Sequence, residues 1–337
     1  MIDKYVTHFN EIAVIGGGSW ATALVKILSE KEVKIRWWLR REDDIRHIET
    51  FRHNKRYLSS VEINLQKVKP MRQLDKVVEN AELVILAVPS AFVRPVIESL
   101  GINGFRNKKV ISAIKGMIAG ENKVITDFLA DSFEISHENL GVIAGPCHAE
   151  EVAMEKQSYL TIASSNKELA QQVAQTLQGK YIKATANSDI YGVEYCAIMK
   201  NIYAIACGMA RGLNYGDNFQ AVLVSNAMTE MKRFLKVIHP RKRKLHQSAY
   251  LGDLLVTAYS QFSRNRHFGM MLGQGYSVKA AQLDMGMVAE GYYAVKCIYE
   301  IAQKHNIDMP ILKAMYYIIY ERISPVPEFR ILAGYLK

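Results

Sequence analysis

Lys200 stands in the stretch YCAIMKNIYAIAC, with apolar neighbours on both sides. Most lysines are solvated, and a long stem can lie along apolar surface while its ammonium reaches water. An amine held out of water instead loses basicity, through desolvation and through nearby positive charge, and becomes usable as an acid or base. Oxidising an alcohol beside a nicotinamide needs such a group, to take the hydroxyl proton as hydride leaves. Asn201 follows directly and could orient the reacting oxygen.

A second set of residues offers phosphate chemistry. Gly16-Gly17-Gly18-Ser19-Trp20-Ala21 fits the pattern G-x-G-x-x-G/A. Small residues there permit a tight turn, let backbone approach a pyrophosphate and let helix pack on strand, while the helix N-terminus offers unpaired N–H groups to the anion. A glycine-rich turn alone is the plainer alternative, but this one follows an apolar run and opens a helix-like stretch. About 20 residues past the glycines, where NAD-specific sites carry an acid, the chain has Trp38-Leu39-Arg40-Arg41. Either arginine could accept a 2′-phosphate, so the pattern leans to NADP over NAD. Pro89, Lys115 and Gly145-Pro146-Cys147 each break a later strand-like run, at the strand ends where doubly wound sheets bind ligands.

A third set lies in YLGDLLVTAYSQFSRNRHFG, Tyr250 to Gly269. Asp253 and Thr257 are four apart, one turn of a helix and so on one face. Ser263-Arg264-Asn265-Arg266 concentrates phosphate-binding groups, since a guanidinium can grip two phosphate oxygens at once. A capped, basic surface turn is the plainer reading. The run HPRKRKLH, from His239, reads as a solvated loop.

The elements that must hold these groups follow from periodicity. Ile12–Ile15, then VKIRWWL, ELVILAV, KVISAI, LGVIAG and YLTIAS are apolar runs that suit strands buried on both faces, with helical spacing in Trp20–Ser29. From about Asp189 apolar residues recur every three or four positions. The expected fold is α/β: an N-terminal Rossmann-type doubly wound parallel sheet, then a mostly α-helical C-terminal domain. The expected division is a dinucleotide-binding domain at 1–188 and a helical substrate and catalytic domain at 189–337.

Composition narrows the partners. A net charge of +10 favours anions, among them phosphorylated metabolites, nucleic acid and acidic membrane surfaces. The four cysteines, Cys147, Cys196, Cys207 and Cys297, form no CxxC pair, which suggests reduced thiols and no metal site. The polar start MIDKYVTHFN is no signal peptide, and no run approaches the roughly 20 apolar residues of a membrane span. A cytoplasmic protein without membrane insertion is the expectation.

In order along the chain, GGGSWATAL, AVPS, IKGM, AGPCHAEEVA, MKNIYAIACGM, LGDLLVT, SRNRHFG and AEGY resemble bacterial NAD(P)-dependent glycerol-3-phosphate dehydrogenase. The resemblance implies that Lys200 is the proton acceptor. It implies that Ser19, Trp20, Arg40, Ala149, Arg264 and Glu290 meet the cofactor, beside Gly16, Gly18 and Pro89 of the glycine turn and strand ends, and that Lys115 touches both cofactor and substrate. Gly145, Cys147, Asn201, Asp253, Thr257, Ser263, Arg264 and Asn265 would hold the substrate. The implied reaction is reversible hydride transfer between sn-glycerol 3-phosphate and NAD(P), giving dihydroxyacetone phosphate and feeding phospholipid synthesis; a homodimer is the family's habit. Cys147-His148 departs from the family's usual Ser/Thr-Phe, and PRKRK has no implied role. A dehydrogenase of another small hydroxy acid is the nearest alternative, and a dinucleotide-sensing or nucleic-acid-binding protein the most distant. The arginine-rich turn favours a phosphate-bearing substrate, and a sensor would have no need of Lys200 in an apolar helix, so no nucleic acid is expected as partner.

Overall fold

A computed structural model of the chain describes residues 8–286 and 289–337. Two compact units are present. One combines the described residues up to Ile114 with Ile125–Ile190; the other combines Lys115–Val124 with Tyr191–Lys337.

The first unit is built on a sheet of β1 (Glu11–Ile15), β2 (Lys34–Trp38), β3 (Val68–Met71), β4 (Leu83–Leu86), β5 (Lys109–Ser112), β8 (Leu140–Ala144), β9 (Ser158–Ala163) and β10 (Ile182–Asn187). The hairpin strands β6 (Met117–Ile118) and β7 (Lys123–Val124) belong to the other unit. The sheet order is β10-β9-β8-β5-β4-β1-β2-β3. Helices α1 (Ser19–Ser29), α2 (Glu42–Phe51), α3 (Leu74–Val78), α4 (Ser90–Ile97), α5 (Ile125–Phe133), α6 (Ala149–Ala153) and α7 (Lys167–Leu177) complete the unit. Central β1 and β4 are buried along nearly their whole length, which is why they read as unbroken apolar runs. The strand order reverses beside β1, which pairs with β4 on one side and β2 on the other. Such a switch point opens a crevice at the carboxyl ends of the strands.

One pair departs from the parallel expectation: β8 and β9 are antiparallel. Parallel neighbours need a crossover of a dozen or more residues, usually a full helix. Between β8 and β9 the chain has only the five-residue α6, too short to carry it back along the sheet. The eleven-residue α7 does carry it back, and β9 and β10 are parallel. Strands β3 and β10 have no counterpart in the sequence reading. Both are edge strands: VKPM contains a proline, and IKATAN has mixed polarity with three exposed positions.

The second unit is helical, with α8 (Ile190–Gly212), α9 (Asp217–Ile238), α10 (Asp253–Tyr259), α11 (Arg264–Gly273), α12 (Val278–Met285), α13 (Glu290–Lys304), α14 (Pro310–Ile319) and α15 (Pro325–Tyr335). Helix α8 is its axis, buried on every side from Gly192 to Ala210. The β6–β7 hairpin also sits here, although the division at 188/189 kept it with the sheet. Its ties explain this: Asn201 of α8 donates to the Lys115 carbonyl at 3.0 Å, and Asn122 donates to Glu300 of α13 at 2.7 Å. The basic run 241–244 lies outside regular structure, and Arg243 turns back to donate to the His239 carbonyl at 2.7 Å.

Helix α14 begins at Pro310 with no side-chain cap of its own. Its orphan N–H groups of Ile311 and Leu312 donate instead to the carboxyl of Glu230, from α9, at 2.6 and 3.3 Å. Tyr203 of α8 donates its hydroxyl to the same carboxyl at 3.2 Å, so one buried acid ties three helices. Burial pushes the Glu230 pKa up from 4.5 to about 7, against the pull of those hydrogen bonds. Between these two values the folded chain keeps a proton that the unfolded chain has lost. Stability attributable to Glu230 therefore falls as pH rises through this window, by on the order of 3 kcal/mol. Glu230→Gln does not titrate, so urea unfolding at pH 5 and pH 7.5 should show a flatter pH dependence in the variant; equal slopes would contradict the assignment.

Candidate active site

In the first unit the glycine turn leaves β1 at the switch point. Gly16 has φ of 140°, and a Cβ there would overlap the Ala87 carbonyl at the end of β4. Only glycine fits. The turn is held from two sides. Trp37 Nε1–H of β2 donates to the Gly16 carbonyl at 2.6 Å, and buried Asn54 donates to the Gly17 carbonyl at 3.1 Å and to Thr22 Oγ1 at 2.9 Å. Neither Trp37 nor Asn54 was singled out from the sequence, because each acts through a backbone carbonyl 37 or fewer residues away with no motif to mark it.

Gly18 is the N-cap of α1, in extended conformation, with neither a side-chain cap nor an acid in the first turn. A Cβ at Gly18 would meet nothing within 4 Å, so open space faces this helix N-terminus. Uncapped N–H groups and a helix dipole directed into open space fit a pyrophosphate. Ser19 is buried and Trp20 half-buried at the start of α1. Arg40 lies exposed just beyond β2, and exposed Pro89 is the N-cap of α4 just beyond β4. Gly145 follows β8 with φ of 112°, where a Cβ would come within 2.8 Å of the Tyr159 carbonyl. Cys147 and Ala149 are buried in the core around the short α6.

In the second unit α8 and α10 bring two buried charges together. Lys200 is 4% exposed and Asp253 1%, and the ammonium donates to Asp253 Oδ1. Lys115, half-buried, brings its ammonium to 3.8 Å from Asp253 Oδ2. Burial lowers the Lys200 pKa below the usual 10.5; the Asp253 carboxylate opposes that shift, and the Lys115 charge adds to it. Thr257, one turn along α10, donates its hydroxyl to the Asp253 carbonyl at 2.7 Å. Lys115, Lys200, Asn201, Asp253 and Thr257 thus form one cluster. The sequence reading gave Asp253 to the substrate alone and missed its pairing with Lys200, since nothing in the chain links positions 53 residues apart.

The arginine-rich turn is the N-terminus of α11. Ser263 is its N-cap and accepts from the Arg266 N–H at 3.2 Å. Arg264 is exposed at the first helical position, and Asn265 is buried. Asn265 Oδ1 accepts from the Gly291 N–H at 2.9 Å, beside half-buried Glu290 at the start of α13. A Cβ at Gly291 would lie 2.7 Å from the Asn201 carbonyl oxygen and 2.9 Å from Asn265 Oδ1. Gly291 therefore joins the lysine cluster to the arginine turn, a role no sequence signal marked.

Known proteins match both units in order. Residues 11–170 match the family profile for the NAD-dependent glycerol-3-phosphate dehydrogenase N-terminus, and residues 189–328 the profile for its C-terminus. A glycerol-3-phosphate dehydrogenase (NAD(P)+) from Clostridium botulinum is 33% identical over 316 residues, 94% of each chain. One from Staphylococcus aureus is 31% identical over 315 residues, 93% of this chain and 95% of its own. The crystal structure of glycerol-3-phosphate dehydrogenase from Coxiella burnetii superposes with a TM-score of 0.90 at 31% identity, covering 96% of this chain and 98% of that one. With the glycine turn at the switch point and the lysine and arginine segments in the helical unit, these likenesses run the length of the fold, and the chain belongs to the NAD-dependent glycerol-3-phosphate dehydrogenase family.

Proposed function

We propose that the chain interconverts sn-glycerol 3-phosphate and dihydroxyacetone phosphate by reversible hydride transfer at C2, supplying glycerol 3-phosphate for phospholipid synthesis in the cytoplasm. The observation that carries this reading is the buried Lys200–Asp253 pair with Lys115 beside it. NAD or NADP supplies or accepts the hydride when bound. The first unit would hold its pyrophosphate at Gly16, Gly18 and the start of α1, and exposed Arg40, in place of an acid, supports NADP.

The second unit would hold the substrate. In reduction the Lys200 ammonium gives its proton to the C2 oxygen; in oxidation the neutral amine takes that proton back. A lowered pKa makes both states accessible, and Asp253 fixes where the ammonium points. Two amines meet at the Asp253 carboxylate, basic groups of the kind that can face a phosphorylated substrate. Asn201 spends its N–H on the Lys115 carbonyl, so its Oδ1 remains to accept from a substrate hydroxyl. Asn265 spends its Oδ1 on Gly291, so its Nδ2 remains to donate to phosphate, with the exposed Arg264 guanidinium as a second donor from the same turn.

Purified protein should consume NADH or NADPH when given dihydroxyacetone phosphate. Lys200→Met should lower kcat by about a thousandfold, with cofactor affinity nearly unchanged. No loss of reduced-nicotinamide absorbance with either cofactor would overturn the reading. The pH profile gives a second check. The reductive kcat falls as pH rises through the Lys200 pKa, because the ammonium is lost. Asp253→Asn removes the charge that opposes desolvation, so this falling limb should move to lower pH by about one unit or more. An unmoved or alkaline-shifted limb would contradict the pairing.

A further inference from the structure

Helices α8 and α11 touch backbone to backbone. A Cβ at Gly208 would overlap the carbonyl of Arg266, and one at Gly269 would overlap the carbonyl of Ile205. One turn along, Gly212 meets Met270 in the same way, and a Cβ at Gly273 would stand 2.5 Å from the Met209 oxygen. Each helix thus presents a glycine pair four residues apart, and the contacts interlock. Ile205 faces Gly269 and Met209 faces Gly273, so the helices run in the same direction and advance together, residue for residue. One turn back, this register sets Asn201 level with Asn265. Gly291 confirms the level, because it touches both at once.

Helices separated by ordinary side chains keep 8–10 Å between axes, with scope for repacking. A seam of glycine and carbonyl has no side chain to move. We infer that Gly208 and Gly269 are positioning residues: they fix the span between Lys200 and the Arg264–Asn265 turn, and so gauge the distance from the substrate's reacting oxygen to its phosphate. The inference rests on the roles proposed above for Lys200 and the arginine turn. A methyl group at either glycine must part the helices, because the atom it meets is backbone. The phosphate-binding turn then moves away from the lysine while both sets of side chains stay intact.

The test is steady-state kinetics of Gly269→Ala with dihydroxyacetone phosphate and reduced nicotinamide. The control is Leu272→Ala, which removes buried apolar contact on the same helix and adds no atom at the glycine positions. Gly269→Ala should raise the KM for dihydroxyacetone phosphate about tenfold or more, since small misplacements of binding groups are costly. The nicotinamide KM should stay within about twofold, and kcat at saturation should fall less than about threefold. Leu272→Ala should lower the melting temperature and leave both KM values unchanged. If Gly269→Ala does not fold, Gly273→Ala, farther from the site, should show a smaller KM rise in the same direction. A folded seam variant with unchanged substrate KM would overturn the inference while leaving the proposed reaction standing. An inactive parent protein would instead overturn the reading on which it rests.

Discussion

An ammonium and a carboxylate buried together, as in Lys200 and Asp253, are costly to remove from water, and their attraction repays that cost only in good geometry. Losing one partner strands the other charge, at about 3–5 kcal/mol. The surrounding structure of the second unit maintains that geometry. Helix α8 is buried all round, so its lysine is almost wholly withdrawn from water. Helix α10 follows directly on the helical turn Ser248–Gly252 and holds Asp253 buried against Lys200. Lys115 brings a second amine to the same carboxylate, 3.8 Å from Asp253 Oδ2.

On the proposed reading, the two units would hold anions differently. In the first, the sheet's switch point and the glycine turn expose backbone N–H groups, and no side chain need be charged. In the second, charged side chains do the work and are pinned by neutral neighbours: Asn201 through the Lys115 carbonyl, and Asn265 through the Gly291 N–H. Each pinning bond uses one end of an amide and thereby decides what the other end offers. Glu230 applies the same economy to the scaffold, serving as the cap that α14 lacks.

Much of this is legible in the sequence, and the rest is hidden for physical reasons. The central strands announce themselves because burial on both faces demands unbroken apolar runs, as in LVIL; edge strands β3 and β10 are free of that demand and tolerate Pro70 or Lys183. The glycine turn is readable because its chemistry is local, spread over six adjacent residues. Lys200 is conspicuous as a lone charge in an apolar helix, but its partner lies 53 positions away in a different helix. The pairs Gly208/Gly212 and Gly269/Gly273 are present as spacing, yet they acquire meaning only when α8 and α11 meet. Information carried by one element shows in sequence; information carried by contact between elements does not.

The central claim is that burial, rather than the neighbouring carboxylate, decides how basic Lys200 is. Titration of lysine Cε resonances by NMR in protein labelled at lysine, with Lys200 assigned from its loss in Lys200→Met, measures this directly. The account predicts that Lys200 titrates well below the ordinary lysine value of about 10.4. A Lys200 resonance that titrates at or above that value would contradict it.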